Sequence, residues 1–193
     1  MAEIAPTELL ELFQRAQAAF TDRVDAIEPD QWEDEALPDW TVADLVAHAV
    51  TEMLWVPPLL AGEPAAEGRF PDATTDLLGD DPFASWESAA DDALSAFAED
   101  DAMKRTVHLS RGATPATEYA EELIADLTVH SWDLARATGG DTDLDGELVT
   151  AALVVGERLP EDGVAGYYDP PLDTSATANP QQRLLARFGR RPI

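Results

Sequence analysis

The sequence predicts an all-α fold, and three observations carry that expectation. Apolar residues recur at spacings of three and four through five separate segments. Runs that alternate polar and apolar residues, the mark of half-buried strands, are almost missing. Caps and helix-stopping Gly and Pro stand where the apolar runs begin and end. The simplest arrangement is a four-helix bundle with additions.

The first segment runs from Thr7 to Ile27, with Leu9, Phe13, Ala16, Phe20, Val24 and Ile27 on one face and Glu28-Pro29-Asp30 as the stop. The second runs from Thr41 to Leu60. Thr41 is a good N-cap and Asp44, three residues on, completes a capping box. Pro57-Pro58 should kink or end this helix. Residues 61–80 are rich in Gly, Pro, Asp and Ala and read as a long mobile loop, a candidate lid. A third helix follows Asp81-Pro82, cap and first-turn proline in order, and should bury Phe83, Trp86, Ala90, Leu94 and Phe97. Arg105 to Leu109 is short and β-branched, and Ser110-Arg111-Gly112 turns after it, so a brief extended segment is expected there.

The fourth helix should run from Pro115 to Ala137 and end at Gly139-Gly140. Leu123, Leu127, Leu134 and Ala137 form its apolar face, and His130 falls within that face. A fifth should run from Asp145 to Leu159. Beyond Pro160 the chain reads as an extended tail with a short helical stretch from Gln181 to Phe188. Residues 1–160 are thus expected to form the bundle, and 161–193 a proline-rich C-terminal extension packing on it.

Charge excludes several functions. Asp and Glu number 39 against 12 Lys and Arg, a formal net charge of −27. Nucleic acids and anionic membranes need the opposite sign, so neither is an expected partner. Four arginines, Arg183, Arg187, Arg190 and Arg191, crowd the C-terminus, a basic tail able to dock on the acidic body of its own chain or of a neighbour. A homodimer is compatible with that reading. Cysteine is absent, so no thiol of the chain can ligate a metal or attack a substrate. The start of the chain has neither a basic region nor an apolar signal core, and no apolar run approaches membrane length; cytoplasmic residence is the expectation.

The three histidines are His48, His108 and His130. Asp126 precedes His130 by one helical turn, so carboxylate and imidazole point the same way. A facing helix bearing His48 would supply a third donor. Two nitrogens and an oxygen leave a coordination position free, which for zinc is a catalytic rather than a structural pattern. The same donors suit Ni2+, Fe2+ or Mn2+. Glu52, one turn beyond His48, reads as a fourth ligand or an outer acceptor, and Asp133 and Glu122 as groups that orient His130. The bland reading uses the same residues: core histidines and an exposed acidic stripe. His108 receives no role, and Trp32, Trp40, Trp55, Trp86 and Trp132 read as packing residues. No phosphate-binding Gly loop or nucleophile elbow is present.

Two stretches narrow the choice. Trp40-Thr41-Val42-Ala43-Asp44-Leu45-Val46-Ala47-His48 and Asp126-Leu127-Thr128-Val129-His130-Ser131-Trp132-Asp133-Leu134-Ala135-Arg136-Ala137-Thr138-Gly139 resemble the second- and fourth-helix signatures of the DinB-like metal-binding bundles. Within that group the chain is most similar to actinobacterial proteins akin to the N-terminal domain of mycothiol-dependent maleylpyruvate isomerase, and Gln182 to Pro192 resembles their tail. The resemblance implies a DinB-like four-helix bundle with His48, Asp126 and His130 as metal ligands. The isomerase has glutamate at the position of Asp126, and the shorter arm puts the ion nearer this helix or weakens its hold. The isomerase also carries a further C-terminal domain for which these residues leave no room, so maleylpyruvate isomerisation itself is not expected.

The resemblance implies a thiol cofactor such as mycothiol, activated as a metal-bound thiolate that attacks an electrophilic substrate. Arg136 or a tail arginine would then hold a substrate carboxylate. Two other readings stand beside this transferase or isomerase: a metal-dependent hydrolase, and a non-catalytic metal-binding or interaction protein.

Overall fold

The computed structural model describes residues 4–66, 68–71, 74–163 and 170–191. Its elements, in chain order, are α1 (Pro6–Asp25), β1 (Glu35–Leu37), β2 (Trp40–Thr41), α2 (Val42–Leu60), α3 (Thr74–Leu78), α4 (Pro82–Phe97), β3 (Thr106–Leu109), β4 (Gly112–Pro115), α5 (Ala116–Thr138), α6 (Gly146–Gly156) and α7 (Pro180–Arg187). The protein is mostly helical. Helices α1, α2, α4 and α5 form the bundle: α2 packs on α4, α1 on α5, and the two pairs meet through α1–α4 and α2–α5 contacts. Helix α6 lies on α5, and α7 lies on α6.

The periodicity of α1 sets its buried face, where Leu9, Phe13, Ala16, Phe20 and Val24 are all buried, and Ile27, just beyond the helix end at Asp25, is buried too. Phe13 meets Phe97 edge-on at 5.0 Å between ring centroids, and Phe20 meets Trp86 at 4.6 Å. Burying each such side chain fully is worth about 1.5–3 kcal/mol. In α4, Trp86, Ala90 and Phe97 are buried as expected, whereas Phe83 and Leu94 are half-buried.

The start of α2 follows the expected chemistry: Asp44 N–H donates to Thr41 Oγ1 at 3.1 Å, and Thr41 N–H donates to Asp44 Oδ2 at 3.0 Å. Helix α2 continues through Pro57-Pro58 and ends at Leu60. The prolines fall in its last turn, where only the carbonyls of Met53 and Leu54 lose an intrahelical donor. Gly139, at φ 73°, closes α5 in the left-handed conformation that glycine adopts without strain.

Four features add to or depart from the sequence reading. The 61–80 stretch contains helix α3, packed on α2 and α4 and tied down by the Thr74 hydroxyl, which donates to Asp44 Oδ1 at 2.6 Å. Residues 67, 72 and 73 of that stretch lie outside the described residues, as do 164–169 of the tail. The extended segment at 106–109 is half of an antiparallel hairpin, pairing Thr106–Leu109 with Gly112–Pro115. A second small hairpin, β1–β2, precedes α2. Strands this short have no period to read, since two or three residues cannot show an alternation. Helix α6 is also shorter than expected and ends at Gly156 rather than Leu159.

Candidate metal centre

His48 lies in the middle of α2, and Asp126 and His130 one turn apart on α5, where the two helices face each other. The structure brings all three together. His48 Nε2 is 3.3 Å from Asp126 Oδ2, and His130 Nε2 is 3.3 Å from Asp126 Oδ1. The two imidazoles meet edge to face at 5.2 Å between centroids. One ligand atom from each residue fits within a 4.8 Å span. Donors held at about 2.0–2.2 Å around one tetrahedral zinc stand roughly 3.3 Å apart. The donor set and its spacing therefore fit a divalent ion with little movement.

Asp126 and the imidazoles beside it compensate one another's charge. Burial opposes ionisation of Asp126, but the His130 and His48 imidazoles hold it well below the ordinary carboxylate range. Burial disfavours charge on His130 too, yet Asp126, with Asp133 behind it, pushes its pKa up to about 9.

Asp133, expected to orient His130, does so. His130 Nδ1 is 3.0 Å from Asp133 Oδ2, and Asp133 has no exposed surface at all. The contact at Nδ1 fixes the ring so that Nε2 faces Asp126. Glu122 behaves otherwise: it accepts from Arg111 on the β3–β4 hairpin and takes no part in orienting His130. Glu52 is half-buried beside the centre, within the field of His48, Asp126 and His130, and burial raises its pKa. It lies outside the three-residue cluster. The exposed-stripe reading fails for Asp133, which is wholly buried.

Two residues join the site that the sequence reading did not assign to it. Trp40, expected as packing, is 37% exposed and stands edge-on over His48 at 5.3 Å between ring centroids. Its hairpin is held by α5, because Arg136 donates to Ala36 O and stacks on Trp132. Tyr119, two turns before Asp126, buries its hydroxyl without a hydrogen-bond partner among the described residues, within the field of Glu52, Glu122 and Asp126. Its spacing from Asp126 is the signal that could have found it: seven residues is two helical turns.

Of the arginines considered for a substrate carboxylate, Arg136 donates to Ala36 O and stacks on Trp132, Arg190 grips Asp133 at 2.9 Å, and Arg183 and Arg191 are exposed. The basic tail does reach the acidic body of its own chain, through Arg190–Asp133, while Arg187 donates to Gly156 O at the end of α6. His108 is exposed on β3, and the Ser131 hydroxyl turns back to donate to Leu127 O.

The mostly helical bundle is that of the DinB-like class. The chain belongs, within that class, to the family of the mycothiol maleylpyruvate isomerase N-terminal domain, which its residues 13–135 match. Uncharacterized proteins from two strains of Mycobacterium tuberculosis are 32% identical over 181 residues, covering 92% of this chain and 94% of theirs. Among solved structures, the crystal structure of the mycothiol-dependent maleylpyruvate isomerase superposes with a TM-score of 0.63 at 18% identity, covering 77% of this chain and 68% of that one. At that identity the likeness is one of fold. Among the described residues no helix is long and apolar enough to cross a membrane.

Proposed function

We propose that the protein binds a divalent metal, zinc foremost, through His48, Asp126 and His130, and uses it in a mycothiol-dependent transfer or isomerisation. One observation carries the reading: three donors from two helices converge within 4.8 Å. The orientation of His130 by a buried carboxylate and membership of a family named for a mycothiol enzyme add support.

A metal bound there would supply Lewis acidity, lowering the pKa of a coordinated thiol toward neutrality. The chain's own groups do the rest. His48 Nε2, Asp126 and His130 Nε2 hold the ion. Asp133 keeps the Nδ1 proton of His130 in place. Glu52, its proton affinity raised by burial, stands ready to accept the proton the thiol gives up. Trp40 forms an exposed wall against which an electrophile can lie.

The same Glu52 favours a second reading, a hydrolase in which it takes a proton from water. Turnover of an electrophile by the zinc-loaded protein, with and without mycothiol, separates the two. The first reading expects turnover that requires thiol and is lost in His130→Ala. Ester or amide cleavage without thiol selects the second. Full metal occupancy with neither activity removes both and leaves a metal-binding protein without catalysis.

A further inference from the structure

The C-terminal segment is built to deliver one guanidinium to the back of the centre. Helix α7 opens with a capping box, in which Asn179 and Gln182 exchange hydrogen bonds with each other's backbone. It ends at Phe188, buried against Ala125, Val129, Ala152 and Val155 of α5 and α6. Gly156, the last residue of α6, makes room for this: a Cβ there would stand 2.9 Å from Arg187 Cγ and 3.1 Å from the Phe188 ring. Gly189, at φ 76°, then reverses the chain, and the Arg190 amide donates to Leu185 O at 2.8 Å.

The guanidinium so placed makes a fork. Arg190 Nη2 donates to Asp133 Oδ2 at 2.9 Å, Nε lies 3.3 Å from the same oxygen, and Nη1 donates to Phe188 O at 2.8 Å. Asp133 Oδ2 is the very atom that faces His130 Nδ1 at 3.0 Å. A wholly buried carboxylate has no water to turn to, so Arg190 and His130 between them determine where it points.

We propose that Arg190 is a positioning residue for the centre formed by His48, Asp126 and His130, acting through Asp133 to fix the His130 imidazole. The proposal rests on the metal reading above. It adds that seating of the C-terminal segment and retention of the ion favour each other, because linkage between two such events is reciprocal. Loss of an outer partner of this kind weakens metal binding by about 10–100-fold.

The test is zinc affinity, by competition with a chromophoric chelator, in the full chain and five variants. Arg190→Gln should bind zinc at least about tenfold more weakly, and Arg190→Lys, which keeps the charge and one donor, should recover part of the loss. Arg187→Gln controls for a loosened tail, since Arg187 anchors the same segment at Gly156 O but does not touch Asp133; its loss of affinity should be clearly smaller than that of Arg190→Gln. In an Asp133→Asn background, Arg190→Gln should add little further loss. Hydrogen exchange at the amides of residues 188–190 should slow on adding zinc to wild type but not to Arg190→Gln. Wild-type affinity in Arg190→Gln, or an equal loss in Arg187→Gln, overturns the positioning role and leaves the metal reading standing. A wild-type chain that takes up no zinc overturns the metal reading, and this proposal with it.

Discussion

His130 Nδ1 lies 3.0 Å from Asp133 Oδ2, inside a helix interface where Asp133 has no access to solvent. A buried carboxylate is costly unless its partners satisfy it, and here those partners are a histidine aimed at the candidate ion and an arginine from the chain's far end. Asp133→Ala should therefore do two things. It should strand Arg190 and lower stability by roughly 3–5 kcal/mol, read by denaturant unfolding. It should also weaken metal binding in whatever fraction stays folded. A stability loss within about 0.5 kcal/mol, the ordinary range for surface changes, would show that the carboxylate carries no structural charge pair.

Proton release should accompany metal uptake. His130 has its pKa raised to about 9, so near neutral pH it carries a proton that the ion must displace. Affinity should climb by about tenfold per pH unit for each displaced proton, and flatten as pH passes the raised value. In the metal-free protein the sign is opposite. A pKa raised on folding contributes stability that is present in full below the unfolded value of about 6.5 and is lost as pH rises through about 9. Calorimetry in buffers of different ionisation enthalpy counts the protons. Uptake that releases none contradicts the arrangement of charges at His130.

Trp40 should report the ion without supporting the fold. It is exposed, and its ring stands over His48 rather than in the core. Trp40→Phe should unfold within about 1 kcal/mol of wild type and lose most of the fluorescence change that Co2+ or Ni2+ produces. If the change persists undiminished, one of the other four tryptophans is the reporter, and Trp40 does not face the centre.

Gly156 offers a mutation whose expected sign runs against helix propensity. Exchanging glycine for alanine in a helix ordinarily gains about 1 kcal/mol, but the added methyl meets Arg187 and Phe188. Overpacking of this kind costs about 1–3 kcal/mol, so Gly156→Ala should be destabilising and should raise proteolysis of the tail. A stabilised variant would mean that α7 does not sit where α6 leaves room for it.

The helices were legible because each carries a whole turn of pattern several times over, and because Thr41, Asp81 and Gly139 mark ends with local chemistry. The pairing of Asp126 with His130 was legible for a related reason: the two share a helix, so their spacing already sets their mutual direction. What brings His48 to them is tertiary packing: a facing helix made it a candidate, and the family resemblance strengthened that choice. The roles of Arg190 and Trp40 were not legible. Arg190 meets Asp133 across 57 positions of chain, and nothing local in a proline-rich tail says where it lands. Trp40 takes its place from a hairpin too short to have a period. Glu122 looked like a partner of His130 by spacing, yet the Arg111 turn claims it instead.

Metal content is the most direct measure of the central claim. Protein purified without added metal, alongside His130→Ala and Asp126→Ala, should be analysed by plasma mass spectrometry and then titrated with zinc. Wild type should hold close to one divalent ion per chain at sub-micromolar affinity or tighter, and both variants should fall by at least about a hundredfold, as for loss of a direct ligand. Equal metal content in all three, or none in wild type even after zinc is supplied, would contradict a centre at His48, Asp126 and His130.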